Sequence, residues 1–343
     1  MWTRAIPVIG LPALLVAALG CQEGTSPSAK VETAFRSAKA PTVEITDLGT
    51  LPGGQYSTAD DINAGGDIVG SATTPSGDEH AVLWRKGKIM DLGTLGGTWS
   101  QAHAINARGQ VVGRSTTSGG YEGPEYAFLW ETGKMVNLGL PPGATYSVGL
   151  GVNPRGVVMA YTDAGLATWD RGQWHVLPYP EGSTECSGGA IDNAGRIVGY
   201  CHVGLQTRSF IWDHGSPIDL GSMGDGDVVV STISPSGVAV GSFSTEDGAR
   251  PFLWKHGKMI ALTTQGADPS FGGGAINAAG LIAGAIYGGN YNLHAALWKR
   301  GTTIDLGTLP GSTDSYASGI NASGQIVGAS YGYQFRAVRW TLH

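Results

Sequence analysis

The chain has 343 residues, of which 56 are glycine and only 14% are charged, a composition at odds with an ordinary helical enzyme. Hydrophobic residues at 41%, with ten Trp and twelve Tyr, supply material for a core and exclude disorder over most of the length. A formal net charge of −6 leaves no basic footprint for nucleic acid, so no such partner is expected.

Residues 1–20 carry one early charge, Arg4, followed by an uncharged stretch through Leu11, Leu14, Leu15, Val16 and Leu19. The apolar run is about 15 residues and contains Pro7 and Pro12, short and broken for roughly 30 Å of hydrocarbon. It reads as a secretory signal peptide. Ala18-Leu19-Gly20-Cys21 resembles the lipobox of bacterial lipoproteins, with Ala18 and Leu19 in swapped order. That resemblance implies a lipid on Cys21 and a membrane anchor through it. Ordinary cleavage would leave a soluble secreted protein instead. Both routes place the chain outside the cytoplasm, and the first places it in the bacterial cell envelope, facing the periplasm or the exterior. Residues 21–42, rich in Ser, Pro, Ala, Lys and Thr, read as a flexible tether.

From residue 43 onward the sequence repeats itself. A unit Ala-x-x-Ile-Asn-x-x-Gly-x-Val-Val-Gly, a variable loop, His-Ala-Phe-Leu-Trp and then Gly-Lys-x-x-Asp-Leu-Gly-Thr-Leu-Gly-Gly recurs. Its Trp falls at Trp84, Trp130, Trp169, Trp212, Trp254, Trp298 and Trp340, a mean spacing of about 43 residues. In the first unit, strand a ends at Ile62, strand b covers Asp67 to Ser71, strand c His80 to Trp84 and strand d Lys88 to Leu92. Each segment is rich in β-branched or aromatic residues and bounded by Gly-containing turns. The a–b turns begin with Asn, Asp or Ser and carry Gly fourth, as in Asn106-Ala-Arg-Gly109 and Asp192-Asn-Ala-Gly195. That is the chemistry of a type I turn, whose fourth position accepts positive φ most cheaply as Gly.

Four-stranded units of this period predict an all-β fold, a seven-bladed β-propeller with four antiparallel strands per blade, over residues 43–343. The last unit stops at strand c, Arg336 to Trp340, while an orphan d-type strand, Val43 to Gly49, precedes the first unit. Pairing of this N-terminal strand in the last blade would close the ring and remove its open edges.

Asp91-Leu-Gly-Thr-Leu-Gly-Gly97, Ala104-Ile-Asn-Ala-Arg-Gly-Gln-Val-Val-Gly113 and Tyr126-Ala-Phe-Leu-Trp130 resemble the HAF-type extracellular repeats. The resemblance covers residues 43–343 and implies an exported bacterial repeat protein of a family without an established common activity. The pattern departs at Leu166-Ala-Thr-Trp169, which lacks the aromatic, and at Ala261-Leu-Thr-Thr, which replaces Asp-Leu-Gly-Thr.

The seven strand c Trp residues read as core, since one large apolar residue per blade at fixed phase is what packing between blades requires. His80 and His294 share one repeat position, occupied elsewhere by Tyr126 or Ser209, and blade-related positions diverge around a ring, so no metal site is expected. No cofactor motif occurs. Cys186 and Cys201 flank the fourth a–b hairpin. A two-residue turn would set them opposite each other, whereas a type I turn with a bulge at Gly195 would slip the register by one and turn them to opposite faces. Cysteine parity in an oxidising compartment favours a disulfide.

The a–b and c–d turns are short and hold most of the Lys and Arg, while the d–a and b–c loops vary in length and carry acids and aromatics. Tyr56, Trp99, Tyr121, Tyr146, Tyr316 and Tyr331 are the candidate ligand-binding residues there, because recognition concentrates on irregular loops above a rigid scaffold. The reading is a monomeric, non-enzymatic binding module for a glycan or protein partner. One alternative is a polysaccharide-degrading enzyme with acids such as Asp225 or Asp314 near the channel mouth, which needs two carboxyl groups roughly 5 to 10 Å apart. Another is a structural envelope protein.

Overall fold

The computed structural model describes residues 42–246, 248–262, 274–287 and 292–343. The signal peptide, all of the tether except Thr42, and Cys21 therefore lie outside the described residues. Residues 43–343 form a unit of their own, built of seven four-stranded antiparallel sheets. Each sheet is one blade of a seven-bladed β-propeller, with strand order a-b-c-d from the axis outward. The seven a strands are Ser57–Ile62, Ser100–Ile105, Ser147–Val152, Ser183–Ile191, Val228–Ile233, Ala275–Ile276 and Asp314–Ile320. Each touches the next, and the seventh touches the first.

The ring closes as the orphan strand implies. Val43–Asp47 pairs antiparallel with Phe335–Leu342, setting Ile45 against Trp340 and Asp47 against Val338. The seam between blades 7 and 1 carries further bonds. The Ser318 hydroxyl donates to the Ala59 carbonyl at 2.6 Å, and the Ala337 amide donates to the Ser57 hydroxyl at 3.0 Å. Trp84, Trp130, Trp212 and Trp340 are buried and Trp169, Trp254 and Trp298 half-buried, each packed with apolar neighbours between blades.

The repeat motifs resolve into specific joints. In Asp91-Leu92-Gly93 the carboxylate accepts the Gly93 amide at 2.8 Å, and the Leu92 amide donates to the Ala81 carbonyl of strand c at 2.9 Å. The same carboxylate receives His80 Nδ1 at 2.9 Å, and His294 meets Asp305 likewise at 2.8 Å. In blade 4 the equivalent residue is Arg208 rather than Ser209, since Arg208 stands opposite Cys201 and pairs with Asp219. Ser209 takes the place of the motif's Ala.

The Asn that opens an a–b turn does more than turn the chain. Asn106 Oδ1 accepts the amides of Arg108 and Gln110 at 3.0 and 3.1 Å, while its Nδ2 donates to the Asn153 carbonyl of the next blade at 2.9 Å. Asn277, Asn321 and Asn63 repeat the reach, to the carbonyls of Asn321, Asn63 and Asn106.

Cys186 and Cys201 form a disulfide. Both elements of the sequence argument operate here. The Asp192–Gly195 turn slips the pairing, with Ile191 opposite Ile197, and a β-bulge between Gly188 and Ala190 slips it back, so that Cys186 faces Cys201 directly. The same bulge recurs at the same place in strand a of blades 1, 2, 3, 5 and 7. Its extra residue is Asp60 in blade 1, His103 in blade 2 and Ser318 in blade 7, and it lies on the innermost strand.

Candidate functional site

The long-loop end of the channel holds the predicted aromatics, but not as one surface. Tyr56 and Tyr121 are 42% and 40% exposed, whereas Trp99 is only 6% exposed. Trp99 is built into the wall of blade 2, where its Nε1 donates to Glu79 Oε2 at 3.2 Å. Tyr121 meets it edge to face at 5.0 Å between ring centroids, and the Arg114 guanidinium lies 4.7 Å above its ring, within cation–π range. Tyr146 packs on Tyr161 with centroids 6.0 Å apart. Tyr316 sits 6.1 Å from Tyr331, which stacks on Phe335 at 4.6 Å. The structure thus gathers Trp99 with Tyr121 on blade 2 and Tyr316 with Tyr331 on blade 7, and leaves Tyr56 and Tyr146 apart from both pairs.

Between these groups runs a polar network the repeat pattern did not single out. Gln101 Nε2 donates to Glu79 Oε1 at 3.1 Å. Gln101 Oε1 accepts from Arg114 Nη2 at 3.0 Å and from Arg114 Nε at 3.3 Å. Arg114 Nη1 forms an ion pair of 3.1 Å with buried Glu125. His103 Nδ1 donates to the Gly149 carbonyl of blade 3 at 2.9 Å, which makes its Nε2 an acceptor in the neutral ring. That Nε2 lies 3.3 Å from Gln101 Oε1, an atom that cannot donate, so the imidazole lone pair has no donor among the described residues.

Asp60 and Asp61 arise from the bulge of blade 1. Asp61 accepts the amides of Ile62 at 2.8 Å and of Ile105 in blade 2 at 2.9 Å. The Asp60 carboxyl and the Tyr316 hydroxyl make no hydrogen bond among the described residues. Desolvation in the channel wall, reinforced by Glu79 and Asp61 and opposed by Arg114, pushes Asp60 up to about 8. Burial raises Asp61 to about 6 against the pull of its two amides. Burial, aided by Arg114, lowers His103 to about 4. Burial also raises the Tyr316 hydroxyl, with Asp60 and Glu79 adding to the effect, and raises Glu125 against the counter-pull of Arg114. At neutral pH the site therefore holds a neutral carboxylic acid and a neutral imidazole beside carboxylates. Among the described residues, no three His, Cys, Asp or Glu side chains come together as a metal-binding group.

Asp225 and Asp314, the acids named for the enzyme reading, stand on different blades. Asp225 precedes strand a of blade 5 and Asp314 opens that of blade 7, with blade 6 between them. Asp314 Oδ1 accepts the Leu293 amide at 2.8 Å and its Oδ2 accepts from the Thr313 hydroxyl at 2.6 Å. The missed residues had one signal in the sequence. In the stretch Ala-x-x-Ile-Asn, the two variable positions are Asp60-Asp61 in the first unit and His103-Ala104 in the second.

No family model matches the chain, and no curated protein matches it in sequence. Solved propellers match it in shape. A puromycin-hydrolysing peptidase of Mycobacterium tuberculosis superposes with a TM-score of 0.58 at 12% identity over 83% of this chain, which spans only about half, 52%, of that one. The propeller domain of the trilobed protease from Pyrococcus furiosus gives 0.55 at 9% identity, covering 84% of this chain and 95% of the other. Virginiamycin B lyase from Staphylococcus aureus gives 0.53 at 10% identity, over 89% and 100%. These likenesses concern the fold. The Pyrococcus domain is described as having an open velcro topology, whereas here the first strand closes the last blade.

Proposed function

We propose that the chain is an exported, lipid-anchored binding module of the HAF-repeat kind, non-enzymatic, taking its ligand at the long-loop mouth of the channel over blades 7, 1 and 2. One observation carries this reading. Glu79, Trp99, Gln101, Arg114 and Glu125 are fixed by one another, while Asp60, Tyr316 and His103 Nε2 stand beside them without protein partners among the described residues. A rigid support under unpaired polar groups is the arrangement of a pre-organised binding site. Binding of the mature chain to a glycan array and to peptide libraries tests it. Tyr316→Ala and Gln101→Ala should abolish the signal, and unchanged binding by both variants refutes the placement of the site. Export and anchoring rest on Cys21 and the segment before it; loss of membrane association in Cys21→Ala is the expected result, and retained association refutes the anchor.

A second reading is favoured by Asp60, held protonated at neutral pH beside the Glu79 carboxylate. A carboxylic acid kept neutral at neutral pH is a general-acid candidate. Hydrolysis of envelope polysaccharide that disappears in Asp60→Asn would favour an enzyme over a binding module.

A further inference from the structure

The unpartnered groups in the channel wall are acceptors, or become so on losing a proton. His103 Nε2 is a lone pair with only Gln101 Oε1, another acceptor, at 3.3 Å. Gln101 cannot be turned to relieve this, because its Nε2 donates to Glu79 at 3.1 Å and its Oε1 accepts from Arg114 at 3.0 Å. Asp60 occupies on blade 1 the bulge position that His103 occupies on blade 2, and the two a strands are in contact. The cation within this network is already engaged: Arg114 is bound to Glu125, to Gln101 and to the Trp99 ring. The wall thus offers unpaired acceptors and an aromatic face, with no cation of this network left free to meet an anionic ligand; its unengaged hydrogens are that of the Tyr316 hydroxyl and the proton Asp60 carries at neutral pH.

A ligand matching such a wall brings N–H donors and positive charge, which describes an alkylammonium group. We propose that the channel wall of blades 7, 1 and 2 binds the primary ammonium group of an amine ligand, with Asp60, Glu79 and His103 Nε2 receiving its N–H donors beside the Tyr316 ring. This rests on the binding-module reading and names its ligand class. Among the described residues no three His, Cys, Asp or Glu side chains converge as a metal ion requires. An ammonium nitrogen stands farther from its acceptors than a metal ion from its ligands, and an aromatic face adds cation–π attraction.

The site is coupled to protons. Asp60 faces Glu79, Asp61, Arg114 and Tyr316, and His103 faces Arg114 and Gln101. With Asp60 raised to about 8, a proton occupies it at pH 7 and an incoming ammonium expels that proton. The ionised fraction of Asp60 climbs from about one tenth at pH 7 to about nine tenths at pH 9, so affinity should rise about ten-fold over that interval.

Calorimetric titration of the mature chain with 1,5-diaminopentane, sorbitol and calcium chloride at pH 7 and pH 9, in buffers of differing ionisation enthalpy, tests this. The expected result is diamine binding that tightens about ten-fold by pH 9 and releases close to one proton per ligand at pH 7. Asp60→Asn, with thermal melting confirming that it folds, should weaken binding and abolish both the pH dependence and the proton release. His103→Gln should weaken binding while keeping both. Diamine binding no stronger than that of sorbitol, or pH dependence surviving in Asp60→Asn, overturns the proposal. Calcium binding with the same proton release would overturn it in favour of a metal. Glycan binding that Tyr316→Ala abolishes, in a protein that ignores the diamine, would overturn the ammonium assignment and leave the binding module standing.

Discussion

Replacing Asn106 tests whether the a–b turn is a local feature or a clasp between blades. Its buried side chain makes four bonds: Oδ1 to the amides of Arg108 and Gln110, and Nδ2 to the Asn153 carbonyl at 2.9 Å and Gln110 Oε1 at 2.7 Å. Asn106→Ala strands the buried Gln110 amide and opens the contact to blade 3. At ~1 kcal/mol per net hydrogen bond, with more for a stranded buried group, the loss should be about 3 kcal/mol. For a domain of this size that lowers the melting temperature by about 5 °C. Asn106→Asp separates the two roles. It keeps both acceptor bonds of Oδ1 but sets an oxygen where Nδ2 donated, against two acceptors. Its folded-state pKa is then raised above the unfolded value of about 3.9. The stability of Asn106→Asp is accordingly fully present below that value and is lost as pH rises through the folded pKa. Scanning calorimetry from pH 3.5 to 7 reads both effects, with exposed Asn193→Ala as a control expected to shift stability by less than about 0.5 kcal/mol. An Asn106→Asp protein that melts with the parent at pH 7 would refute the clasp.

Four other outcomes are expected. Reducing the Cys186–Cys201 bridge, whose cysteines are 15 residues apart, should cost about 3 kcal/mol, read as a lower melting temperature in dithiothreitol; an unchanged melt would mean the bridge constrains nothing. Deleting Val43–Asp47 bares the edge of Phe335–Leu342 and should convert monomer to aggregate in size-exclusion chromatography, and a well-behaved monomer would show that ring closure is dispensable. Because Asp60 is raised to about 8, its stabilising contribution is complete below about pH 4 and is lost as pH rises through 8, so Asp60→Asn should gain on the parent in melting temperature up to pH 9. His103, lowered to about 4, acts in the opposite sense: its contribution is present above about pH 6.5 and lost as pH falls through 4, so His103→Gln should melt with a flatter acid limb.

The blades were legible because each is a hairpin ladder written in local chemistry. Asn-x-x-Gly sets the turns, alternating apolar residues set the strands, and the misplaced Val43–Gly49 segment announced the closure. The bulge in strand a was not legible, since it depends on how seven inner strands crowd around one axis and leaves no turn residue behind. That single hidden residue decided two matters. It restored the register that brings Cys186 to Cys201, and it put Asp60 and His103 in the channel wall. Trp99 lies in a d–a loop by sequence, and its burial was not legible there, because the Glu79 and Arg114 side chains that hold its ring in the wall come from other strands. Of the acids chosen from the loops, Asp314 is engaged by a backbone amide, that of Leu293.

The Asn latches do not go all the way round. They link blades 6, 7, 1, 2 and 3, while Asn153 Nδ2 finds no acceptor among the described residues and the next two turns open with Asp192, bound to its own Arg196, and with Ser234. Blade 4 is reached instead by an exposed arm, Arg155 Nη2 donating to the Ala194 carbonyl at 2.7 Å. The latched arc thus includes the blade where the two ends of the ring meet, whereas the turns of blades 4 and 5 open without a latching Asn. A closed ring would ordinarily yield first at its covalent gap. Here that gap lies within the reinforced arc, so thermal breathing can be taken up across the axis while the acceptors of blades 7, 1 and 2 hold their spacing.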